Sequence, residues 1–304
     1  MGLVLLATKA PTAAIRRKYS SLGGRIALKA PLVGVSPEKE KAIFKRELTI
    51  WAGLRHNSIL SLLDILYGED GNLFAAMDWC DGSLRDLMRK KHRFSLSESL
   101  HIIAHMLCGL LYANEKDKVL HLDIKPENVI YRLGILRDKN VSKNQSDILK
   151  YEFMISDWGI ASVKTQRIGT FLEGNASVST EETFNNMGTM HYMAPERFCA
   201  GTSSSIASDI YSLGMVFYEL MTGSLPVTIN AIPAYQVREI KSFDYYHAAI
   251  QEIGNHDISS HYTKVILSMI HPQPSIRPKS YHELGNALMT AGRKENNLFS
   301  RIFK

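Results

Sequence analysis

The chain has 304 residues, a formal net charge of +6 and a pI near 9.1, with 45% hydrophobic and 22% charged residues. These values are ordinary for a soluble globular protein, and the length suits about two lobes. The three cysteines, Cys80, Cys108 and Cys199, are far apart, which argues against a disulfide framework and a metal cluster and predicts a reducing compartment. No motif of interleaved aromatic and basic residues accompanies the positive charge, so nucleic acid is not the expected partner.

No apolar run approaches the roughly 18–20 residues that span a bilayer. Residues 1–7 are apolar but short, and they lack the basic start of a signal peptide. We therefore expect no membrane span and a cytoplasmic location, with the nucleus and secretion as a bacterial effector left open. The sequence assigns no oligomeric state.

The first part of the chain predicts strands and one helix. Residues 3–35 read as strands joined by turns, with a Gly-Gly turn before a strand at 26–28. A Ser-Pro pair then marks a helix N-terminus. A hairpin turn at 68–71 precedes a buried strand at 73–77. In the helix, apolar residues recur at helical spacing around one carboxylate: Ile43, Phe44, Glu47, Leu48 and Trp51.

Beyond about residue 80 the pattern becomes helical. Ser95 and Glu98 fit a capping box at the start of an apolar helix. Residues 210–221 are apolar almost all round, which is typical of a buried central helix. The remaining segments are helices at 258–270 and 281–291, a strand at 153–155, and polar loops at 132–150 and 164–186.

The most informative segment is HLDIKPEN, residues 121–128, which follows an apolar Val-Leu pair. It places Asp123, Lys125 and Asn128 on one short loop. Phosphoryl transfer needs this combination: a carboxylate that orients a hydroxyl, a cation near the moving phosphate and a neutral oxygen ligand for Mg²⁺.

Two further motifs follow along the chain. DWG, residues 157–159, comes directly after the apolar strand at 153–155. A carboxylate at a strand end, followed by a glycine that permits a sharp turn, can reach a metal that bridges nucleotide phosphates. The other motif is GTMHYMAPE, residues 188–196.

Together these motifs resemble those of the eukaryotic-like serine/threonine protein kinase family. The resemblance extends from about Leu3 to Arg293, and Lys125 and Thr189 are of the type found in serine/threonine rather than tyrosine kinases. It implies an α+β bilobal fold in a single domain, residues 1–304. The expected N-lobe, residues 1–79, is small and β-rich with one main helix, and the expected C-lobe, residues 80–304, is larger and mainly α-helical.

The resemblance also implies the chemistry. ATP and Mg²⁺, or Mn²⁺, would be the cofactors, and protein serine or threonine hydroxyls the acceptors. Asp123 would orient the hydroxyl and accept its proton, and Lys125 would stabilise charge on the phosphoryl group. The expected catalytic residues are Asp123, Lys125, Lys29 and Glu47, and the expected metal ligands are Asn128 and Asp157.

The segment IALK, residues 26–29, is similar to the family's Val-Ala-Ile-Lys. Lys29 would contact the α- and β-phosphates and pair with Glu47 of the helix. The segment MDWC, residues 77–80, resembles gatekeeper and hinge, where the Asp78 carbonyl and the Cys80 amide would meet the adenine. The expected nucleotide-binding residues are Lys29, Ala27, Ile15, Met77, Asp78, Cys80 and Ile130, with Ala27 and Ile130 on either side of the ring.

Two braces are also implied. Glu196 would pair with Arg277, and Asp209 would hold the family's catalytic loop, here residues 121–128, from the central helix.

The chain departs from the family at four positions. The phosphate-covering loop would fall at residues 8–15, which contain no glycine, and Pro11 has no amide to donate. We therefore expect this loop to bind the nucleotide more weakly. Leu122 replaces the arginine that binds a phosphorylated activation loop, which predicts activity that does not wait for loop phosphorylation. Trp158 replaces phenylalanine, and Trp51 stands where the family has an aliphatic residue.

One hypothesis is that Trp51, Trp158 and His121, anchored by Asp209, form a spine that holds the kinase active. The alternative is that both tryptophans only fill the core.

Two other classes of function compete with a protein kinase. A pseudokinase that serves as a nucleotide-binding scaffold or interaction module is favoured by the missing glycines and opposed by the complete catalytic set. A small-molecule kinase of the aminoglycoside type lacks a segment like residues 188–196, which argues against it.

Overall fold

The structure is a computed structural model of the chain. It describes residues 4–7, 26–31, 37–68, 73–134, 146–158, 162–163, 191–198, 204–226, 243–256 and 258–294.

The N-terminal part is a four-stranded antiparallel sheet with one helix, α1, at Pro37–Gly53. The strands are β1 (Val4–Ala7), β2 (Ile26–Lys29), β3 (Leu62–Tyr67) and β4 (Leu73–Asp78). The strand order is β1-β2-β4-β3. The register sets Ala27 opposite Met77 and Lys29 opposite Ala75.

The C-terminal part is mainly helical. Two small sheets, β5-β7-β8 and β6-β9, lie at its start. These strands are β5 (Gly82–Ser83), β6 (Val119–Leu120), β7 (Val129–Leu133), β8 (Tyr151–Ile155) and β9 (Ser162–Val163). The helices are α2 (Leu84–Lys90), α3 (Leu96–Asp117), α4 (Ile206–Thr222), α5 (Phe243–Gly254), α6 (Ser260–Met269) and α7 (Tyr281–Lys294). Short 3₁₀ turns occur at Pro126–Asn128, Asp147–Lys150, Pro195–Phe198 and Pro274–Ile276.

Local sequence sets the ends of the two long helices. The predicted capping box of α3 is confirmed, because the Ser95 side chain accepts from the Glu98 amide and the Glu98 carboxylate accepts from the Ser95 amide. Helix α4 is capped at its C-terminus by Gly223, whose φ of 87° is readily adopted only by glycine. The helix is buried along nearly its whole length, as its all-round apolar sequence predicts.

A close contact fixes α4 against α6. A Cβ added to Gly214 would lie 2.7 Å from the Cβ of Met269, so only glycine permits this approach. The buried apolar residues around α3 and α4 belong to one connected cluster that also includes Ala27 and Trp51 of the N-terminal part. The elements that carry the site residues therefore share one core.

Helix α3 is also the one helix among the described residues that is long and apolar enough to cross a membrane. Its most apolar stretch has a mean hydropathy of 1.3 and is 61% buried inside the protein. Core helices of folded domains have the same composition, so this helix is weak evidence for a membrane span.

Several expectations need correction. Residues 132–150 are not one polar loop, since β7 continues to Leu133 and a 3₁₀ turn occupies Asp147–Lys150. Helix α5 was not predicted. Ile43 is 49% exposed, although its spacing on α1 suggested burial. The turns expected at 23–24 and within 69–71 lie outside the described residues. The boundary expected after residue 79 falls between β4 and β5 and stays a prediction.

Candidate active site

A cavity of about 350 Å³ lies between the N-terminal sheet and the start of the C-terminal part. The β2–β4 register places Ala27 opposite Met77, and side chains of directly opposed residues lie on the same face of a sheet. Ile130 lines the cavity from β7. Its lining is Ala27, Lys29, Trp51, Leu60, Met77, Asp78, Trp79, Cys80, Gly82, Ser83, Glu127, Asn128, Ile130, Ser156 and Asp157.

The nucleotide-binding residues expected from the sequence are therefore brought together around this space, except for one. Ile15 lies outside the described residues, as does the whole segment 8–15. Burial raises the pKa of the Cys80 thiol to about 12, so this side chain lines the cavity as a neutral group.

Lys29 connects the two parts of the protein. Its Nζ lies 2.5 Å from Oε1 of Glu47 on α1 and 3.0 Å from Oδ1 of Asp157. Strand β2, helix α1 and the segment after β8 are thus joined by one ammonium group. We call these three residues the Lys29 cluster.

Burial disfavours the charged form of Lys29, but the carboxylates of Asp157 and Glu47 outweigh it and raise the pKa of Lys29. Burial also opposes ionisation of Asp157, yet Lys29 outweighs it and lowers the pKa of Asp157. For Glu47 burial prevails and raises the pKa. The cluster therefore presents a charged lysine and an ionised Asp157 to the cavity at neutral pH.

Asp123 is held in the catalytic loop by two neighbours. Lys125 Nζ lies 2.9 Å from its Oδ2, and Asn128 Nδ2 donates both to Oδ2 at 2.9 Å and to the Asp123 carbonyl at 2.8 Å. The other carboxylate oxygen, Oδ1, is buried and accepts no hydrogen bond within the described part of the chain. That oxygen keeps the capacity to accept a further hydrogen bond.

The backbone of this loop is held by Asp209 of α4. Its Oδ1 accepts from the Leu122 amide at 2.7 Å, and its Oδ2 accepts from the His121 amide at 2.8 Å. The Tyr281 hydroxyl donates to the same Oδ2 at 2.9 Å. Leu122 has a φ of 65°, which is unfavourable for a non-glycine residue, so these bonds hold a strained backbone. The brace expected from the sequence is confirmed.

His121 connects the catalytic loop to the end of β8. Its Nδ1 accepts from the Asp123 amide at 3.2 Å, so we assign the ring proton to Nε2, which donates to the Ser156 carbonyl at 3.0 Å. Its ring lies 4.7 Å from that of Trp158 in an edge-to-face arrangement. Asp157, between these contacts, also has a φ of 65°.

The spine hypothesis is supported at one end. Trp158 is fully buried against His121, whose amide is bound to Asp209. Trp51 is buried in the same core but donates its Nε1–H to the Leu60 carbonyl at 2.5 Å. Among the described residues the two tryptophans make no ring-to-ring contact, so the core-filling alternative remains open for Trp51.

The expected metal ligands lie close together. The Ser156 amide and hydroxyl both donate to the Asn128 carbonyl, at 2.9 and 3.1 Å, which places Asp157 next to Asn128. Because Asn128 directs its side-chain nitrogen at Asp123, its side-chain oxygen is the atom left for a cation. One amide oxygen and one ionised carboxylate suit Mg²⁺, which keeps several waters and phosphate oxygens as ligands. In the described ranges no group of three or more His, Cys, Asp or Glu side chains forms a metal site.

The predicted pairing of Glu196 with Arg277 is confirmed. Arg277 Nη1 and Nη2 donate to the two oxygens of Glu196 at 2.9 and 3.0 Å. The guanidinium also stacks on Tyr211, 4.7 Å from the ring centroid.

Sequence reasoning missed two arginines near the catalytic loop. Arg197 donates to the Leu122 carbonyl, and Arg85 of α2 contacts Glu127 and Glu219. Arg197 directly follows a recognised motif and could have been noted on that ground. Arg85 has no such signal, because its partners are 42 and 134 positions away.

The protein kinase domain model matches residues 14–287 of this chain. Since that match spans most of the sequence, the chain belongs to the protein kinase family, and the bilobal α+β fold is that of the family.

Curated relatives of the chain also carry the name protein kinase. The chain is 26% identical over 267 residues to serine/threonine-protein kinase pkn3 of Myxococcus xanthus, covering 88% of this chain and 45% of that protein. It is 28% identical over 265 residues to serine/threonine-protein kinase PknD of Chlamydia felis, covering 80% and 26%. It is 29% identical over 206 residues to mitosis inducer protein kinase cdr2 of Schizosaccharomyces pombe, covering 67% and 23%. The chain spans less than half the length of each of these relatives.

Proposed function

We propose that this chain is an ATP- and Mg²⁺-dependent protein kinase that transfers the γ-phosphoryl group to serine or threonine hydroxyls of protein substrates. The observation that carries the proposal is the convergence of Lys29, Asp157 and Asn128 on a cavity large enough for a nucleotide base, with Asp123 hydrogen-bonded to Asn128. The names of two relatives, pkn3 and PknD, supply the serine/threonine class.

Each side chain has a distinct task in this reaction. The unpartnered Oδ1 of Asp123 accepts the proton of the substrate hydroxyl and orients its oxygen. Lys125, bound to the other oxygen of Asp123, stabilises negative charge on the phosphoryl group. Mn²⁺ is an alternative cation, because it accepts the same oxygen ligands.

Binding and orientation of ATP fall to the Lys29 cluster and the cavity walls. Lys29 is held by Glu47 with its ammonium toward the cavity, where it binds phosphate oxygens. Asn128 and Asp157 would hold Mg²⁺, which neutralises phosphate charge when bound. The apolar side chains of Ala27 and Ile130 enclose the base.

The test is transfer of label from γ-labelled ATP, with Mg²⁺, to the protein itself or to an added protein substrate. Wild type is compared with Asp123→Ala and Lys29→Ala at equal concentration. We expect label with the wild type alone. Cooperative melting of all three proteins is the control for folding.

A nucleotide-binding scaffold is the second candidate. The absence of glycine from residues 8–15 favours it, since a covering loop with Pro11 offers fewer backbone amides to phosphate. In the same experiment, a nucleotide-induced rise in melting temperature without label in any sample would support the scaffold and contradict the enzyme.

We further propose that activity does not depend on phosphorylation of the segment after Asp157. Leu122 is buried and apolar at the position where the family has an arginine that binds phosphate. The catalytic loop is instead held by Asp209 and Arg197.

Replacement of every serine and threonine in 165–183 by alanine tests this proposal. We expect the transfer rate to stay within about threefold of wild type, because the apolar side chain of Leu122 offers no charge to a phosphate on that segment. Loss of activity in that variant, with its melting transition retained, would contradict the proposal.

A further inference from the structure

Arg85 lies between two carboxylates next to the catalytic loop. Its Nε is 2.7 Å from Oε1 of Glu127, and its Nη1 is 2.8 Å from Oε1 of Glu219. Its Nη2 donates to the hydroxyl of Tyr192, which in turn donates to Oε2 of Glu219 at 2.5 Å. We call these four residues the Arg85 cluster.

The cluster lies next to the loop that carries Asp123. Glu127 precedes the metal-ligand candidate Asn128 in the same 3₁₀ turn and itself lines the cavity. Tyr192 belongs to segment 191–198, which reaches the Leu122 carbonyl next to Asp123 through Arg197. A protein substrate that delivers a hydroxyl to Asp123 must therefore pass close to this cluster.

The charges of the cluster do not cancel. One guanidinium faces two carboxylates, and Oε2 of Glu127 is buried without a hydrogen-bond partner among the described residues. Solvent reaches the cluster at Arg85 and Glu127, whose side chains are 19% and 34% exposed, whereas Glu219 and Tyr192 are buried. Without Arg85, two like charges would face each other and would bind a cationic side chain in its place.

We propose that Arg85 is a specificity-determining residue that occupies the carboxylate pair Glu127–Glu219, so that the wild-type protein does not select substrates with a basic residue near the acceptor hydroxyl. A role for Arg85 in substrate selection rests on the proposed kinase function, because only a kinase would have a peptide substrate at this site. The substrate class is a peptide whose flanking residues carry no required positive charge.

The experiment uses a set of peptides with a single serine and one arginine, moved through each position on either side of the serine. Each has a partner with citrulline, the neutral isostere of arginine, in the same place. Binding is measured by fluorescence anisotropy with a non-hydrolysable ATP analogue and Mg²⁺, and kcat/KM is measured with ATP. The variants are Arg85→Met, which keeps the apolar stem, and Arg89→Met on the same helix as matched control.

For the wild type and Arg89→Met, we expect the arginine and citrulline peptides to bind equally within about twofold at every position. For Arg85→Met, we expect at least about tenfold preference for arginine at one position or two adjacent positions, and Glu219→Gln added to it should remove most of that preference. Arg85→Gln, which keeps amide donors for Tyr192 and Glu219, replaces Arg85→Met if that variant loses its melting transition.

A wild type that already prefers arginine by tenfold would overturn the inference. So would a folded Arg85 variant that binds both peptides equally, or neither. The anisotropy measurement needs no turnover, so absence of transfer by the wild type would contradict the kinase proposal without deciding the role of Arg85.

Discussion

Arg277 and Lys29 are both buried cations bound to carboxylates, and they differ in how many of their N–H groups the protein uses. All five N–H groups of Arg277 have acceptors. Two go to Glu196, and the other three go to the carbonyls of His271, Ala207 and Pro272 at 2.7–3.0 Å. Of the three N–H groups of Lys29, two bind described carboxylates, and the ammonium borders the cavity.

This difference distinguishes a cation that stabilises the fold from a cation that can bind a ligand. A buried charge with every partner in place gains nothing from a further ligand and loses much when a partner is removed. A buried charge next to a cavity, with one cation between two carboxylates, keeps capacity for a phosphate and its metal ion. Arg277 should therefore affect stability, and Lys29 should affect activity.

The largest expected effect is that of Arg277→Met on folding. Removal of the guanidinium takes away two of the donors to Glu196 and one donor to each of three backbone carbonyls, so the free energy of unfolding should fall by about 3–5 kcal/mol. Urea unfolding of the purified variant measures it. A loss below about 1 kcal/mol would contradict the assignment of Arg277 to fold stability.

Lys29→Met should have a large effect on activity and a small effect on stability. We expect kcat/KM to fall by about 10²–10³-fold, because a cation that stabilises phosphate charge is lost. The free energy of unfolding should fall by about 1 kcal/mol or less, since burial already favours protonation of Glu47 and the side chain borders a cavity that water can enter. If the free energy of unfolding falls as much in Lys29→Met as in Arg277→Met, the two cations do not differ in role.

At acidic pH the protein should lose stability through a group outside the Lys29 cluster. Lys29 stays charged, and the lowered pKa of Asp157 keeps that carboxylate ionised below its usual range. Burial, assisted by His105, instead lowers the pKa of His101 to about 4. Between about pH 6.5 and 4 the unfolded chain binds a proton that folded His101 does not, so stability is complete above this window and decreases as pH falls through it.

We expect His101 to account for about 1–3 kcal/mol of that acid-induced loss. His101→Gln keeps a donor for the Tyr151 carbonyl, which His101 Nε2 contacts at 2.8 Å, and removes the titration. Unfolding free energies of both proteins between pH 4 and 7 test this. Parallel curves for wild type and His101→Gln would contradict it.

Arg89→Met is the smallest effect and the reference for the others. Arg89 is 73% exposed, and its pair with Asp86 at 3.4 Å is open to solvent. Its removal should change the unfolding free energy by less than about 0.5 kcal/mol and leave kcat/KM unchanged. A larger change would mean that the exposure of an arginine side chain does not predict its effect on stability in this chain.

Motif spacing predicted most of the chemistry because the groups share short segments. Asp123, Lys125 and Asn128 are within six residues, and the structure places them in mutual contact. Their catalytic roles stay predictions. The fold class followed from the same motifs, and the capping box of α3 from local hydrogen-bonding rules.

What the sequence did not predict depends on long-range contacts. The positive φ of Leu122 is accompanied by hydrogen bonds from the Leu122 and His121 amides to Asp209, 87 and 88 positions away, and no propensity indicates it. The Arg85 cluster joins four separate segments, so neighbouring residues carry no sign of it. Helix α5 has apolar residues at helical spacing and was missed because no cap or motif accompanies them.

The most direct test of the account is Asp123→Asn, which keeps the size of the side chain, removes its charge and replaces one acceptor oxygen by an amide nitrogen. Transfer from labelled ATP and the Kd for the Mg²⁺–ATP complex are measured on the same samples. We predict transfer by the wild type, a rate about 10²–10⁴-fold lower in the variant, and a Kd within about threefold of wild type. No transfer by the wild type, or equal rates in both proteins, would contradict the assignment of this site as the catalytic centre of a protein kinase.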